Sequence, residues 1–218
     1  FNQLAPATSI NWQIADGDAV VPEQILCTIE GSARSLLTGE RTAINFLQTL
    51  SATATTVASF VDIIKDTHTK ILDTRKTIPG LRLAQKYAVA CGGGTNHRIG
   101  LFDAILIKEN HIMAAGSITQ AVTQAKAKNL PVEVEVESLS ELEEALEAKA
   151  DQILLDNFDL ALLEKAVNIN QGRAKLEASG NISKDDLYAI AKTGVDYISI
   201  GALTKHIRAI DFSMRINL

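Results

Sequence analysis

Apolar and polar positions follow two different rhythms along this chain. From residue 70 onward, short apolar runs at 70–73, 104–108, 132–137, 152–155, 174–178 and 197–200 have the length and branched-residue content of strands. Helical spacing covers about 80–91, 117–128, 139–149, 158–169 and 184–193 between them. Ser117, Ser138 and Ser183 stand where helix N-caps belong, and Ser138 with Glu141 fits a capping box. A longer helical stretch, 39–65, carries apolar residues at 43, 44, 47, 50, 54, 57 and 61. The first 38 residues differ: 14–20 and 25–29 read as two short strands around an Asp-Gly turn, with Gly31 closing the second.

Strands that alternate with helices of this length predict a parallel sheet with crossover helices. Six of them, with a helix leading in, make most of an α/β barrel; an open doubly wound sheet is the structural alternative. In a barrel the chemistry gathers at the C-terminal strand ends. Those ends read Asp73-Thr74-Arg75-Lys76, Lys108-Glu109-Asn110-His111, Glu135-Val136-Glu137, Asp156-Asn157, Ser179-Gly180-Asn181 and Gly201-Ala202. Nearly all are polar or charged, which periodicity alone does not require.

Composition narrows the function. The chain has 218 residues, 46% hydrophobic and 22% charged, as a globular domain does, and a net charge of −5. Bulk charge of that sign argues against nucleic acid and anionic membrane as partners. No uninterrupted apolar run approaches a membrane span, and no signal peptide is visible. The chain opens on Phe1 inside folded-looking sequence, so a preceding segment is expected. Two cysteines, Cys27 and Cys91, make no disulfide framework and suit a reduced, cytoplasmic setting. The charge is uneven, however. Residues 70–108 hold Lys70, Arg75, Lys76, Arg82, Lys86, Arg98 and Lys108 against Asp73 and Asp103, a net of +5, so the remainder carries −10. A basic island in an acidic chain points to an anionic ligand.

Particular residues sharpen this. Arg75 offers a planar fork for carboxylate or phosphate, and Lys76 a point charge. Cys91-Gly92-Gly93-Gly94-Thr95-Asn96-His97-Arg98 reads as a shaped binding turn, the glycines allowing close approach to a ligand. Cys91 has no partner at metal-ligand spacing, which argues against zinc. Val132 to Glu137 alternates strictly, so one strand face carries three carboxylates that need cationic or metal partners if buried. Glu135 with Asp156 suits a Mg²⁺-diphosphate, and the glutamates of 141–147 a solvated helix face. The loops Ser179-Gly180-Asn181 and Ile200-Gly201-Ala202 suit phosphate bound by backbone N–H groups. His68 and His206 are expected in solvent, and His111 behind the site.

Longer stretches carry a resemblance. Asp73 to Arg82, Gly92 to Leu101, Ile107-Lys108-Glu109-Asn110-His111, Glu133-Val134-Glu135-Val136, Leu155-Asp156-Asn157-Phe158 and Thr193 to Tyr197 closely resemble the quinolinate phosphoribosyltransferase family, in order and over essentially the whole chain. The resemblance implies an open (incomplete) α/β barrel joined to an α/β sandwich domain. It then implies a sandwich remainder at 1–38, the barrel at 39–205, and a segment at 206–218 returning to the sandwich. It implies transfer of phosphoribosyl from phosphoribosyl diphosphate to quinolinate with loss of CO₂ and diphosphate, giving nicotinate mononucleotide for NAD synthesis, with Mg²⁺ as cofactor. Carried across by motif, Arg75, His97, Arg98 and Lys108 hold the quinolinate carboxylates. Lys76, Glu135 and Asp156 are the catalytic set and serve diphosphate and ribose, with Glu135 and Asp156 toward the metal and Thr74 beside them. Ser179, Gly180, Asn181, Ile200, Gly201 and Ala202 cradle the 5′-phosphate. Arg41 is implied to enter the neighbouring subunit's site in a homodimer. Two other readings stay open: a related phosphoribosyltransferase-like protein of molybdenum uptake, and a non-catalytic anion-binding barrel.

Overall fold

The computed structural model describes residues 1–216; Asn217 and Leu218, part of the expected C-terminal segment, lie outside the described residues. Strands β1 (Ser9–Trp12) and β2 (Cys27–Glu30) form an antiparallel pair. Helix α1 (Ala33–Val61) follows, capped by Ser32, whose hydroxyl accepts the Ser35 N–H, and runs into a 3-10 turn at Asp62–Ile64. The remaining elements are β3 (Lys70–Leu72), α2 (Arg82–Cys91), β4 (Ile105–Ile107), α3 (Glu109–Ala115), α4 (Ile118–Lys126), β5 (Val132–Val136), α5 (Leu139–Glu147), β6 (Gln152–Asp156), α6 (Leu160–Asn170), β7 (Lys175–Ser179), α7 (Lys184–Lys192), β8 (Tyr197–Ser199) and α8 (Ala202–Lys205).

The six later strands are all parallel, in the order β3-β8-β7-β6-β5-β4. From β4 to β8 each strand lies beside its successor, with no reversal of direction across the sheet. That excludes the doubly wound alternative, which needs a switch point. β3 and β4 do not pair, so the barrel stays open there. The seam beside β3 is lined by the chain at Thr95, which bridges Leu72 and exchanges hydrogen bonds with Ile71 O and the Asp73 N–H.

The alternation along β5 decides which way the sheet faces. Val132, Val134 and Val136 are fully buried against the outer helices, each worth about 1.5–3 kcal/mol. Glu133 and Glu135 point the other way, into the barrel. By register, Gln152, Leu154 and Asp156 on β6 and Lys175, Glu177 and Ser179 on β7 share that inner face. The barrel is thus hydrophobic outside and polar inside. Ser117, Ser138, Asp159 and Ser183 cap the crossover helices through their side chains. Glu141 reaches back to the Glu137 N–H at 2.7 Å, one residue before the cap.

The structure corrects several expectations. The first strand is Ser9–Trp12; 14–20 lies in the connection, where Gly17 (φ +94) and the Asp18 carboxylate on the Ala15 N–H make the turn. α1 starts at Ala33 rather than 39. With its 3-10 extension it is long and apolar enough, by length and composition, to cross a membrane; its buried residues Val57 and Phe60 instead belong to the barrel core. α3 was not expected. It buries no residue and is held by its caps: His111 Nδ1 accepts the Lys108 N–H at 3.0 Å, and Gly116 takes φ +99 at the other end. Glu144 is more than a solvated charge, because it accepts the Thr119 N–H and hydroxyl at the start of α4.

Candidate active site at the open end of the barrel

Asp73 follows directly on β3 and is completely buried. Its carboxylate meets the buried Lys86 ammonium of α2 at 2.6 Å and accepts the His97 N–H at 2.8 Å. The same ammonium donates to His97 O at 2.7 Å, and Asn96, with its amide turned to match its neighbours, donates to Asp73 Oδ2 at 2.9 Å. This knot fixes the loop after β3 against the segment carrying His97 and Arg98. Arg82 adds a clamp, donating to Arg75 O and Ile99 O. Lys86 and Arg82 are therefore framework, and Lys70 opens its strand at the opposite end. Of the seven cations in the basic island, four stand at the C-terminal rim: Arg75, Lys76, Arg98 and Lys108.

Two of the three glycines answer a packing demand as well. A Cβ on Gly92 would fall 2.4 Å from Ala54 O, and one on Gly94 would fall 2.8 Å from the side chains of Val57 and Val89. Both let α1 lie directly on this segment, while Gly93 between them takes φ +82.

The rim is strongly electropositive on one side. Burial, and next the charge of Arg75, lowers the Arg98 pKa, so the two guanidiniums lie close enough to oppose each other. Arg98 is fixed by hydrogen bonds to Gly100 O and Ala104 O. Lys108, at the N-terminus of α3, pairs with Glu135 of β5, which is only 13% exposed. Lys76 crosses toward β8: its chain lies against Gly201, and its carbonyl accepts the Thr204 hydroxyl at 2.8 Å.

The opposite side of the rim is built from turns. Asn157, Gly180 and Asn181 all take positive φ, and the Asn157 N–H bonds Ser179 O. A Cβ on Gly180 (φ +111) would stand 2.2 Å from Asn157 Oδ1 and 3.0 Å from its backbone N, so glycine is what fits beside Asn157. Among the described residues no hydrogen-bond acceptor takes the N–H of Gly180, Asn181, Gly201 or Ala202, the unspent donors an anion needs. Ile200 is different: its side chain is core and its N–H is used by Leu72 O at 3.0 Å. It has no donor left for a phosphate.

Asp156 is half-buried and bonded by Asn157 Nδ2 at 2.8 Å. Glu135 pairs in register with Leu154, so Asp156 is its diagonal neighbour on the inner face, and carboxylate oxygens are the donor type suited to Mg²⁺, a hard ion that takes one or two carboxylates and completes its shell with phosphate and water. Arg41 lies on the exposed side of α1 and makes no ion pair among the described residues. His68 and His206 are exposed.

One cluster went unseen in the sequence. His97 Nε2 lies 2.7 Å from Glu133 and 3.5 Å from Glu177, one interior layer below the rim. Gln152 donates to both carboxylates, at 2.9 and 2.6 Å. Burial would lower the His97 pKa, but its bonds to Glu133 and Glu177 outweigh that and raise it to about 10. Burial and the charge of Glu133 raise Glu177 to about 7. The spacing suits metal ligands, yet a 2.7 Å contact between His97 and Glu133 is a direct hydrogen bond and leaves no room for an ion between them. The available signal for Glu177 was the alternation Lys-Leu-Glu-Ala-Ser in β7, the same as in β5.

Comparison with known proteins identifies the scaffold. The family model described as quinolinate phosphoribosyl transferase, C-terminal domain, matches residues 53–215, and the one for the N-terminal domain matches residues 1–51. The chain belongs to the quinolinate phosphoribosyl transferase family. The two family models meet within α1. The nicotinate-nucleotide pyrophosphorylase [carboxylating] of Mycobacterium leprae (strain TN) is 45% identical over 93% of this chain and 73% of its own length. A solved nicotinate-nucleotide pyrophosphorylase from Francisella tularensis is 56% identical with TM-score 0.94, over 96% of this chain and 76% of that one. One from Pyrococcus furiosus, 16% identical with TM-score 0.75, shares the fold over 94% of this chain and 59% of that one.

Proposed function

We propose that this family member transfers the phosphoribosyl group of phosphoribosyl diphosphate to quinolinate, with decarboxylation, to give nicotinate mononucleotide. The supporting observation is the division of one rim into three chemistries. Arg75, Arg98 and Lys108 form a cationic wall suited to a dicarboxylate. Gly180, Asn181, Gly201 and Ala202 offer free N–H donors suited to a terminal phosphate, with Ser179 and Thr74 beside them. Glu135 and Asp156 stand between, with Lys76 reaching across.

In this reading the fixed cations let a dianion and a polyanion occupy one cavity despite their repulsion. His97 joins the cationic wall from below. Attack of the pyridine nitrogen on the ribose carbon accompanies departure of diphosphate, which Lys76 steadies. The carboxylates of Glu135 and Asp156 stabilise the positive charge that develops on the sugar. Mg²⁺, held by Glu135 and Asp156, would neutralise the charge of the diphosphate. Loss of the 2-carboxylate as CO₂ leaves negative charge on the ring carbon, which the guanidiniums oppose. Every contribution is electrostatic, and no covalent nucleophile is required.

The active form proposed is a homodimer in which Arg41, free on α1, completes the partner's site. A cytoplasmic setting accords with the free thiols of Cys27 and Cys91. The test is incubation with quinolinate, phosphoribosyl diphosphate and Mg²⁺. Nicotinate mononucleotide and CO₂ in equal amounts are expected; absence of both overturns the proposal.

A further inference from the structure

The interior cluster below the rim has a geometry that the chemistry above it does not use directly. His97 is anchored at three points. Its N–H bonds Asp73, its carbonyl accepts from Lys86, and its Nε2 meets Glu133 and Glu177. Glu133 comes from β5, Gln152 from β6 and Glu177 from β7, so three adjacent strands close on one ring. Ser199 of β8, also buried, faces Glu177 and works against the rise of its pKa. Arg98, with Arg75 close enough to oppose its charge, follows His97 in the chain. The His97 side chain keeps 11% exposure, while Glu133 and Glu177 keep 7% and 1%. Nδ1 makes no hydrogen bond among the described residues, which leaves it for an acceptor from outside the chain.

We propose that Glu133 and Glu177, braced by Gln152, are positioning residues that hold the His97 imidazole oriented and positively charged beneath the dicarboxylate wall. A solvent-exposed imidazole loses its charge near neutrality. Two carboxylates against Nε2 hold the proton there, so Nδ1–H remains a charged donor where a substrate carboxylate is to be met. The inference deepens the proposed function and rests on it for the identity of that acceptor. The protonation state of His97 is independent of that function.

The test therefore has two arms on the full chain. In the first, ¹⁵N-detected titration follows the four histidines, with His97→Asn assigning the fourth signal. His97 should stay protonated throughout the range from about pH 5.5 to 8. In Glu177→Gln its midpoint should fall by about two pH units, and Glu177→Asp should restore part of the shift. A wild-type His97 that loses its proton within that range overturns the proposal. In the second arm, calorimetry measures the affinity for pyridine-2,3-dicarboxylate from pH 7 to 9. The wild-type Kd should change less than about twofold, and that of Glu177→Gln should weaken about fivefold or more toward pH 9. Identical pH profiles overturn the proposal. If the dicarboxylate binds at no pH, the functional proposal fails and the first arm decides the positioning role by itself.

Discussion

Arg98 lies in the half-buried rim beside Arg75, and two guanidiniums so placed gain most when an anion comes between them. Arg98→Ala should therefore weaken pyridine-2,3-dicarboxylate by about 10- to 100-fold, the loss of one charge-assisted pair. Glu135→Ala should leave that affinity unchanged or tighten it, because it releases Lys108, while it lowers kcat. Isothermal titration and steady-state kinetics separate the two outcomes. At the same scale, His97 and Glu177 both hold protons more tightly in the folded chain than the free side chains do. Both therefore make stability fall as pH rises. The Glu177 contribution is complete below 4.5 and lost by about 7, and that of His97 is complete below 6.5 and lost by about 10. Urea unfolding across pH 5–10 should show this decline, and His97→Asn should flatten its alkaline part.

At the scale of elements, the loop after β3 depends on a buried ion pair rather than on its own residues. Asp73 and Lys86 keep 0% and 3% exposure. Asp73→Ala strands a charged lysine and should cost about 3–5 kcal/mol, read as a drop in urea midpoint together with loss of activity. Gly92→Ala pushes a methyl to within 2.4 Å of the α1 carbonyl of Ala54. It should cost about 1–3 kcal/mol by overpacking without touching the rim. Local signals forecast most elements well. Three Ser caps fell where sequence placed them, because a cap needs only one side chain and one free N–H. The first strand and α3 were misjudged for the complementary reason: β1 exists through its partner β2, and α3 through a histidine cap.

For the whole molecule, the sequential strand order leaves a seam between β3 and β4, and the site is assembled along one rim of that open barrel. Arg41 stands on the exposed side of α1. If a second copy receives it, Arg41→Ala and Lys108→Ala should each be inactive alone. Mixed and reassembled, they should recover about a quarter of wild-type activity, since half of random dimers carry one intact site of two. No recovery on mixing would place Arg41 outside any shared site.

The chain's own order of residues determined the alternation of strands and helices, the caps and the polar strand ends. It also determined the inward face of β5, because each of these follows from a period or a local hydrogen bond. The basic island pointed to an anionic ligand, but not to which of its cations would stand at the rim. Lys86 and Arg82 are equal to Arg98 in sequence, and only packing turned them into framework. The glycines near Cys91 showed a need for space without showing that α1 fills it. Above all, His97, Glu133, Gln152 and Glu177 come from four separate segments. No local pattern links them; closing the strands round the barrel brings them into contact, and their shared proton balance exists only there.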